Sequence, residues 1–271
     1  MALNEETTIS RLVRELREET DDLQESLENL AAEDYDLATP AQGWDIGDSL
    51  AHLAFFDAVA TQAIEDPRAF ADLVSAAEKD PHYFDAPTRE LRAMGASRLC
   101  EEFAKNRSQF IEAAIGHSGG RVRWFGPPMS TETMVTARQM ETFAHGVDIR
   151  DAIGEPVFIS ARHLNVVYLG YRTIGFAFLN HGLATPASDM EIIAVMPDGS
   201  EVGFGHPTLD ENGEENRVRG SLGDLALLVV QRRHRLDLDL EVTGSFSRRW
   251  VEIAQAYAGP PGEGRRRSKS A

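Results

Sequence analysis

Three residues in two segments have the types and spacing to share a metal ion. Glu141 and His145 lie four residues apart in METFAHGVD, so a helix would place the carboxylate and the imidazole one turn apart on one face. An upstream segment, GWDIGDSLAHLAFF, places His52 within the pattern of another helix. If these helices pack together, two imidazoles and one carboxylate would form a metal site with an open position.

This donor set indicates a divalent cation. Two imidazoles with one carboxylate are common in catalytic zinc sites, where the fourth position is left to water or substrate. The same set suits non-haem iron, and nickel is a further alternative. Asp148, about one turn beyond His145, could orient that ring as a hydrogen-bond acceptor or could face solvent.

Each ligand also has a structural interpretation. His52 shares its helix face with Leu53 and Phe56, so it could be an ordinary core histidine. Glu141 could form a surface ion pair with Arg138, one turn away. From the residues alone, both interpretations stay open.

The composition argues against several classes of function. The 271 residues carry a net charge of −17, which opposes nucleic-acid binding because phosphates attract basic surfaces. The one cysteine, Cys100, cannot form an internal disulfide, and we interpret it as a small core residue. Neither a signal peptide nor a membrane-spanning apolar run is apparent. We therefore expect a cytoplasmic protein that is a monomer or a homodimer.

Helical periodicity dominates the first part of the chain. Asp45 with Asp48, and Ser130, are suitable helix N-terminal residues, and Gly154 is a suitable terminator. Apolar residues recur at helical spacing in four long segments, namely 8–30, 45–64, 88–115 and 131–153. These segments predict a four-helix bundle over residues 1–156.

The pattern changes in the second part, where short β-like runs appear between helices. The expected helices are 161–183, 223–231 and 245–256, and the expected strands are 191–195, 201–204, 217–220 and 236–242. Residues 157–258 therefore predict a small α+β domain, and the whole chain has an α+β fold class. The segment 259–271, GPPGEGRRRSKSA, is expected to be a disordered tail.

At these motifs the sequence resembles a known family. GWDIGDSLAHL, followed by the ExxxH of METFAHGVD, resembles the N-terminal domain of mycothiol-dependent maleylpyruvate isomerases, which are DinB-like metal-binding helix bundles. RWFGPPMS and the later RVRGSLGDLALLVVQRRH match the family pattern as well. The resemblance covers nearly the whole chain, implies a sterol-carrier-like second domain, and is greatest to an actinobacterial branch of uncharacterised members.

The resemblance implies a metal site and a type of reaction. Matched residue by residue, the family's metal ligands fall on His52, Glu141 and His145. The implied enzyme is a metal-dependent isomerase or thiol transferase, in which the sulfur of a low-molecular-weight thiol, mycothiol in the family, takes the open position. Its other substrate would be a small electrophilic acid that bears a carboxylate.

Four further residues are candidates for the site. Where the family has Gly-Arg, this chain has Gln231-Arg232, so Arg232 is the candidate for holding the substrate carboxylate, with Arg233 as the fallback. Trp44 and Trp124 each precede a ligand-bearing helix and could line a cofactor-binding mouth. Surface arginines and loop-anchoring tryptophans are the alternatives.

Two other functions would use the same ligands. A metal-dependent hydrolase or hydratase would activate bound water, with Asp148 or Asp48 as the general base. A non-catalytic binding protein would contain the metal without turnover.

Overall fold

The computed structural model describes residues 6–80, 82–117, 119–262 and 264–268. The chain divides into two compact units, Met1–Val157 and Phe158–Ala271, called here the first and second units. The helices of the first unit are α1 (Thr8–Glu28), α2 (Ile46–Glu65), α3 (Pro67–Ala77), α4 (Asp85–Arg92), α5 (Ala96–Gly116) and α6 (Thr131–Ile153).

The second unit combines four short helices with one sheet. Its helices are α7 (Leu164–Arg172), α8 (Ile174–Asn180), α9 (Leu222–Val229) and α10 (Ser245–Ile253). Its strands are β1 (Glu191–Val195), β2 (Glu201–Phe204), β3 (Arg217–Ser221) and β4 (Leu240–Thr243). The strand order is β2-β1-β3-β4, with β1 and β3 parallel and the outer pairings antiparallel. The α+β fold class expected from the sequence is confirmed.

The four long helices α1, α2, α5 and α6 pack together as a bundle with two apolar clusters. One cluster is built around residues such as Leu16, Phe110 and Met134. The other includes Leu23 and Phe103. Each helix carries a buried polar residue between its members of the two clusters, namely Thr20, Asp57, Arg107 and Arg138, so a polar layer lies between the clusters.

Asp57 is the centre of this buried polar layer. Its two carboxylate oxygens accept from Arg107 Nε at 2.7 Å and from Arg138 Nε at 2.8 Å. Arg107 also donates to the hydroxyl of Thr142 at 2.9 Å and to that of Thr20. All four bundle helices therefore contribute to one hydrogen-bonded network.

The charges of this layer are removed from water. Asp57 is 0% exposed, and Arg107 and Arg138 are each 3% exposed. Burial lowers the pKa of Arg107, while the nearby Asp57 carboxylate opposes that change. Glu19, itself buried on α1, adds a second carboxylate that attracts Arg107. Because burying charges costs free energy, we infer that this layer favours one helix register more than it adds stability.

The start of α2 confirms the capping residues expected from the sequence. Asp45 accepts from Asp48 N at 2.6 Å, and Asp48 accepts from Asp45 N at 3.1 Å. Arg92, at the end of α4, donates to Asp45 at 2.9 Å and also binds Asp36. Gly47 lies close beside this arginine, since a Cβ there would lie 2.1 Å from Arg92 Nε and would displace the guanidinium group. The loop before α2 is thus fastened to α4.

Two helices that the sequence suggested as continuous are interrupted. The predicted helix 88–115 is divided at Gly95, whose φ of 84° belongs to the left-handed region and lies between α4 and α5. The predicted helix 161–183 is divided at Thr173, whose hydroxyl donates to Leu169 O at 3.0 Å and to Gln255 O at 2.7 Å. Apolar periodicity continues through both breaks, which explains why it did not reveal them.

Replacement of Asp57 by Asn should strongly destabilise the bundle. The variant leaves two buried guanidinium groups without their shared carboxylate, a loss of about 3–5 kcal/mol in the free energy of unfolding. Urea unfolding, monitored by circular dichroism, measures this loss in the free energy of unfolding. The control Glu102→Gln removes a surface pair with Lys105 and should cost no more than about 1 kcal/mol. Equal effects of the two substitutions would contradict the proposed role of the layer.

Asp45 should make the stability of the protein depend on pH. Burial raises the pKa of Asp45, but hydrogen bonds from Arg92 and from Asp48 N outweigh burial and hold it below its usual value. The folded pKa lies below the unfolded value of about 3.9, so this stabilisation is present above that pH and is lost as the pH falls through the folded pKa.

Asp45→Asn keeps a good N-terminal cap but loses the ion pair. The variant should be less stable than wild type at pH 7, and the difference should shrink as the pH falls toward 3. Urea midpoints at pH 7, 5 and 3 give the comparison, and a difference that is constant across this range would argue against the ion pair.

Candidate metal centre

The structure brings together the three ligands expected from the sequence. His52 lies on α2, and Glu141 and His145 lie one turn apart on α6. Glu141 Oε2 is 3.8 Å from His52 Nε2 and 3.7 Å from His145 Nε2. One ligand atom from each residue lies within 4.8 Å of the others. The group has the composition and compactness of a metal-binding site.

The distances fit shared coordination better than direct hydrogen bonding. Separations of 3.7 and 3.8 Å exceed the length of a normal N–H···O hydrogen bond. Two ligands on one tetrahedral zinc ion, each bonded at about 2.1 Å, are roughly 3.4 Å apart. The two distances from Glu141 are within a few tenths of an ångström of that spacing, and all three ligand atoms lie within 4.8 Å of one another, so the donor set fits a divalent cation.

The polar layer positions the two ligand-bearing helices. Arg138 Nε binds Asp57, and Arg138 Nη2 donates to the carbonyl oxygen of Leu53 at 3.4 Å. Leu53 directly follows His52, and Arg138 lies about one turn before Glu141. Arg138 is therefore a buried link between α2 and α6. It is not the surface partner of Glu141 that the sequence also allowed.

Asp148 lies on the far side of the His145 ring from the ligand cluster. Its side chain is 0% exposed, and its Oδ2 is 3.8 Å from His145 Nδ1, whereas Nε2 is the atom that approaches Glu141. A carboxylate that hydrogen-bonds this nitrogen of a ligand imidazole orients the ring and makes its metal-facing nitrogen more basic. At 3.8 Å the pair is longer than a hydrogen bond, so the interaction shown here is electrostatic. The sequence left open whether Asp148 lies beside the His145 ring or faces solvent, and the structure shows it buried beside the ring.

Trp44 forms part of a rim around the two histidines. Its ring stacks on His145 with centroids 5.5 Å apart and planes at 11°, and its centroid is 5.2 Å from that of His52. Phe56 contacts the His52 ring at a centroid distance of 4.6 Å. The side chains of His52 and Glu141 remain 22% and 21% exposed, so the cluster is reachable from solvent beside this aromatic rim.

Trp124 has a different environment from Trp44. It stacks on Phe70 with centroids 5.6 Å apart and contacts Phe125 at 5.0 Å. Among ring contacts in the described ranges, none joins Trp124 directly to His52 or His145. It packs against the apolar cluster of the bundle. A position of Trp124 beside a bound thiol stays a prediction.

Sequence reasoning missed an aromatic group that extends the rim. Phe56, Phe84 and Phe125 form a triangle with centroid distances of 5.4, 5.3 and 6.2 Å, and each ring is half-buried. Phe56 could have been found from its position one turn after His52. Phe84 and Phe125 belong to distant irregular segments, and no local pattern connects them to the ligands.

Arg232 and Arg233 belong to the second unit, immediately after α9. Arg232 Nη1 donates to Val230 O at 2.8 Å, and Arg233 Nη1 donates to Arg232 O at 2.7 Å. Both hydrogen bonds are to backbone oxygens of the second unit. A role for either residue at the metal ligands stays a prediction.

This protein has the architecture of a helix bundle that carries a His-Glu-His cluster and is followed by a small α+β unit. The family model for the mycothiol maleylpyruvate isomerase N-terminal domain matches residues 16–150. The chain belongs to the family defined by this domain. An uncharacterized protein of Mycobacterium tuberculosis, found in strains CDC 1551 and H37Rv, is 38% identical over 255 residues, which cover 93% of this chain and 97% of the relative.

Solved structures share the fold at low sequence identity. A crystal structure of the mycothiol-dependent maleylpyruvate isomerase aligns with a TM-score of 0.56 and 14% identity, covering 86% of this chain and 92% of that one. A mutant of that isomerase with one histidine changed to alanine aligns with a TM-score of 0.58 and 12% identity, covering 89% and 96%. In the described ranges, no helix has the length and apolar character needed to cross a bilayer.

Metal content should depend on each of the three ligands. Purified wild type should hold about one equivalent of a divalent metal, as a three-ligand site with an open position requires. His52→Ala and Glu141→Gln should lose most of it, because each removes one of three ligands. Elemental mass spectrometry after dialysis is the measurement.

Glu132→Gln is the matched control, since it makes the same change in the first turn of the same helix. The control should keep the wild-type metal content, and circular dichroism should show that all variants are folded. Full metal content in His52→Ala would show that the ligand set is wrong.

Proposed function

We propose that this protein is a divalent-metal-dependent enzyme that uses a low-molecular-weight thiol. The thiol would either promote the isomerisation of a small electrophilic acid or be transferred to that acid. The observation that carries the proposal is the compact His52, Glu141 and His145 cluster, which is accessible to solvent. Membership in the mycothiol maleylpyruvate isomerase family supports mycothiol as the thiol. Zinc fits the donor set best, with iron or nickel as alternatives.

The ligands and their neighbours would have separate roles in this reaction. His52, Glu141 and His145 would hold the cation, and Asp148 would fix the orientation of the His145 ring from its Nδ1 side. Trp44 covers one face of that ring and limits its rotation. When bound, the cation would favour the thiolate form of the thiol, which is the nucleophile that adds reversibly to an activated double bond or displaces a leaving group.

The electrophilic acid needs a cationic partner for its carboxylate. We propose Arg232 as the catalytic residue for this task, because a guanidinium can bind a carboxylate through two parallel hydrogen bonds. Arg233 is the fallback, and Trp44 and Trp124 are the proposed residues around the thiol. The half-buried triangle of Phe56, Phe84 and Phe125 would keep water away from the reacting groups.

The contacts of the two candidate bases support a thiol rather than activated water. A hydrolase or hydratase would need a general base on the open side of the cluster. Asp48 is held in the capping box at the start of α2, where its carboxylate accepts from Asp45 N. Asp148 lies on the Nδ1 side of His145, away from the ligand atoms. Asp148 is therefore not on the side where water would react, and the Asp48 carboxylate is engaged at the helix cap.

A thiol-dependent assay on metal-loaded protein tests the proposed function. Cis-unsaturated oxo acids are offered with and without mycothiol, and the products are followed by proton NMR. We expect turnover only with the thiol, and a loss of about 100-fold or more in Glu141→Gln. Turnover without thiol would indicate the hydratase function. A metal-loaded protein that turns over none of these acids would indicate a binding protein.

Arg232→Gln should weaken the use of the acid without affecting metal content. Loss of one charge-assisted pair of hydrogen bonds corresponds to about 10-fold to 100-fold in kcat/KM for the acid. The control Arg248→Gln removes a surface arginine that pairs with Glu214 and should leave kcat/KM unchanged. An unchanged kcat/KM in Arg232→Gln would remove this residue from the proposed mechanism.

A further inference from the structure

A continuous group of aromatic side chains adjoins the candidate metal ligands. It includes the phenylalanine triangle and two further rings that contact the triangle. The five residues, called here the aromatic face, are Phe55, Phe56, Tyr83, Phe84 and Phe125. Phe56 contacts the ring of His52 at a centroid distance of 4.6 Å, and all five side chains are half-buried. The face is therefore both next to the ligands and partly open to solvent.

Phe84 is the residue that joins the aromatic face together. Its ring lies 5.7, 5.4, 5.3 and 5.3 Å from the rings of Phe55, Phe56, Tyr83 and Phe125. Of these neighbours, Phe55, Phe56 and Phe125 pack against an apolar cluster of the bundle. In the part of the chain that the structure describes, Phe84 is not among the side chains packed against that cluster. Phe84 therefore belongs to the face rather than to the core.

Local helix stability does not explain a phenylalanine at position 84. Phe84 is the N-cap residue of α4, and its side chain makes no capping hydrogen bond. Ser, Thr, Asp and Asn are preferred at this position because their side chains accept from the free N–H groups of the first turn. The chain forgoes such a bond here, and the ring contacts of Phe84 are what the residue contributes.

The rings of the triangle meet at steep angles. Their planes are inclined by 60° for Phe56 with Phe84, 81° for Phe56 with Phe125, and 78° for Phe84 with Phe125. Aromatic rings attract one another in such edge-to-face arrangements, in addition to the gain from removing their surface from water. A further ring placed on the half-buried triangle would make contacts of the same kind.

The charge of the protein gives an apolar contact particular value. The chain has a net charge of −17, which opposes the approach of an anionic substrate at long range. Contact with exposed rings attracts a ligand without depending on its charge. Single exposed apolar side chains are ordinary on protein surfaces, whereas a contiguous group of them indicates a binding surface. The neighbour that this group shares with the candidate site is His52.

We propose that the aromatic face binds an aromatic substituent of the substrate acid while the acid reacts at the metal ligands. This inference rests on the proposed function and narrows its substrate class to unsaturated acids that carry an aromatic ring. Phe56 connects the two parts of the site, because it lies one turn after His52 and contacts its ring. Phe84 and Phe125 determine specificity by contacting the substituent.

Binding of two hydroxamates to the metal-loaded full chain tests this inference without turnover. Acetohydroxamate and benzohydroxamate carry the same metal-binding group, and they differ in having a methyl group or a phenyl ring. Isothermal titration calorimetry gives the dissociation constant of each. We expect benzohydroxamate to bind at least about 10-fold more tightly to wild type, because its ring is buried against the aromatic face. The ratio of the two constants is the measured preference.

Variants of the aromatic face make the test specific. Phe84→Ala and Phe125→Ala should each reduce the preference for benzohydroxamate by about 5-fold or more, while binding of acetohydroxamate stays as in wild type. Phe84→Leu keeps apolar volume and should retain part of the preference, which separates loss of the contact from loss of folding.

Tyr168→Ala is the matched control for these variants. Tyr168 is an exposed aromatic residue of the second unit, and its ring lies 5.1 Å from that of Phe204. The control should keep the wild-type preference. Metal content and circular dichroism are measured for every variant, so that the hydroxamates are compared on folded, loaded protein.

The outcomes distinguish this inference from the proposed function. Equal binding of the two hydroxamates to wild type, or an unchanged preference in Phe84→Ala and Phe125→Ala, would overturn the aromatic subsite and leave the thiol-dependent reaction standing. A preference that depends on Phe84 in a protein without thiol-dependent turnover would support the subsite and contradict the reaction. Failure of both hydroxamates to bind metal-loaded protein would overturn both, since the open metal position would be absent.

Discussion

The ion pairs of Asp57 with Arg107 and Arg138 are the constraint on which the bundle depends. A carboxylate that is 0% exposed must be satisfied inside the protein, and its two partners come from different helices. Sliding α5 or α6 by one turn would leave buried charges without partners, at a cost that apolar packing alone does not impose. The two apolar clusters supply the hydrophobic stabilisation, and the layer between them selects one arrangement of the helices.

The candidate metal centre follows from the same constraint. Arg138 connects α6 to α2 through Asp57 and through the carbonyl of Leu53, beside His52. Glu141 and His145 are next along α6, so the contacts that fix the register also set the spacing of the three ligands. The contacts of the polar layer are therefore also the contacts that bring the two ligand-bearing helices together. Binding groups on rigid helices with buried support are held more accurately than groups on loops.

Much of this arrangement could be predicted from sequence, and the limits have physical reasons. Four-residue spacing and capping residues are local, so α2, α6 and the candidate ligands Glu141 and His145 were apparent. Arg138 was not identified as buried, because periodicity assigns charged residues to the surface and most of the α6 residues are buried. The phenylalanine triangle joins segments that are distant in sequence, and no local pattern indicates such contacts.

The separation between the polar layer and the ligand cluster has an evolutionary consequence. Asp57, Arg107 and Arg138 maintain the helix register. His52 and Glu141 are partly exposed to solvent, and His145 lies buried beside them. Substitution of a ligand would leave the register intact. A lineage could therefore exchange the chemistry of the centre, or lose it, while inheriting an unchanged scaffold. Diversity of activity within one fold is the expected outcome when the residues that specify folding and those that perform chemistry are different sets.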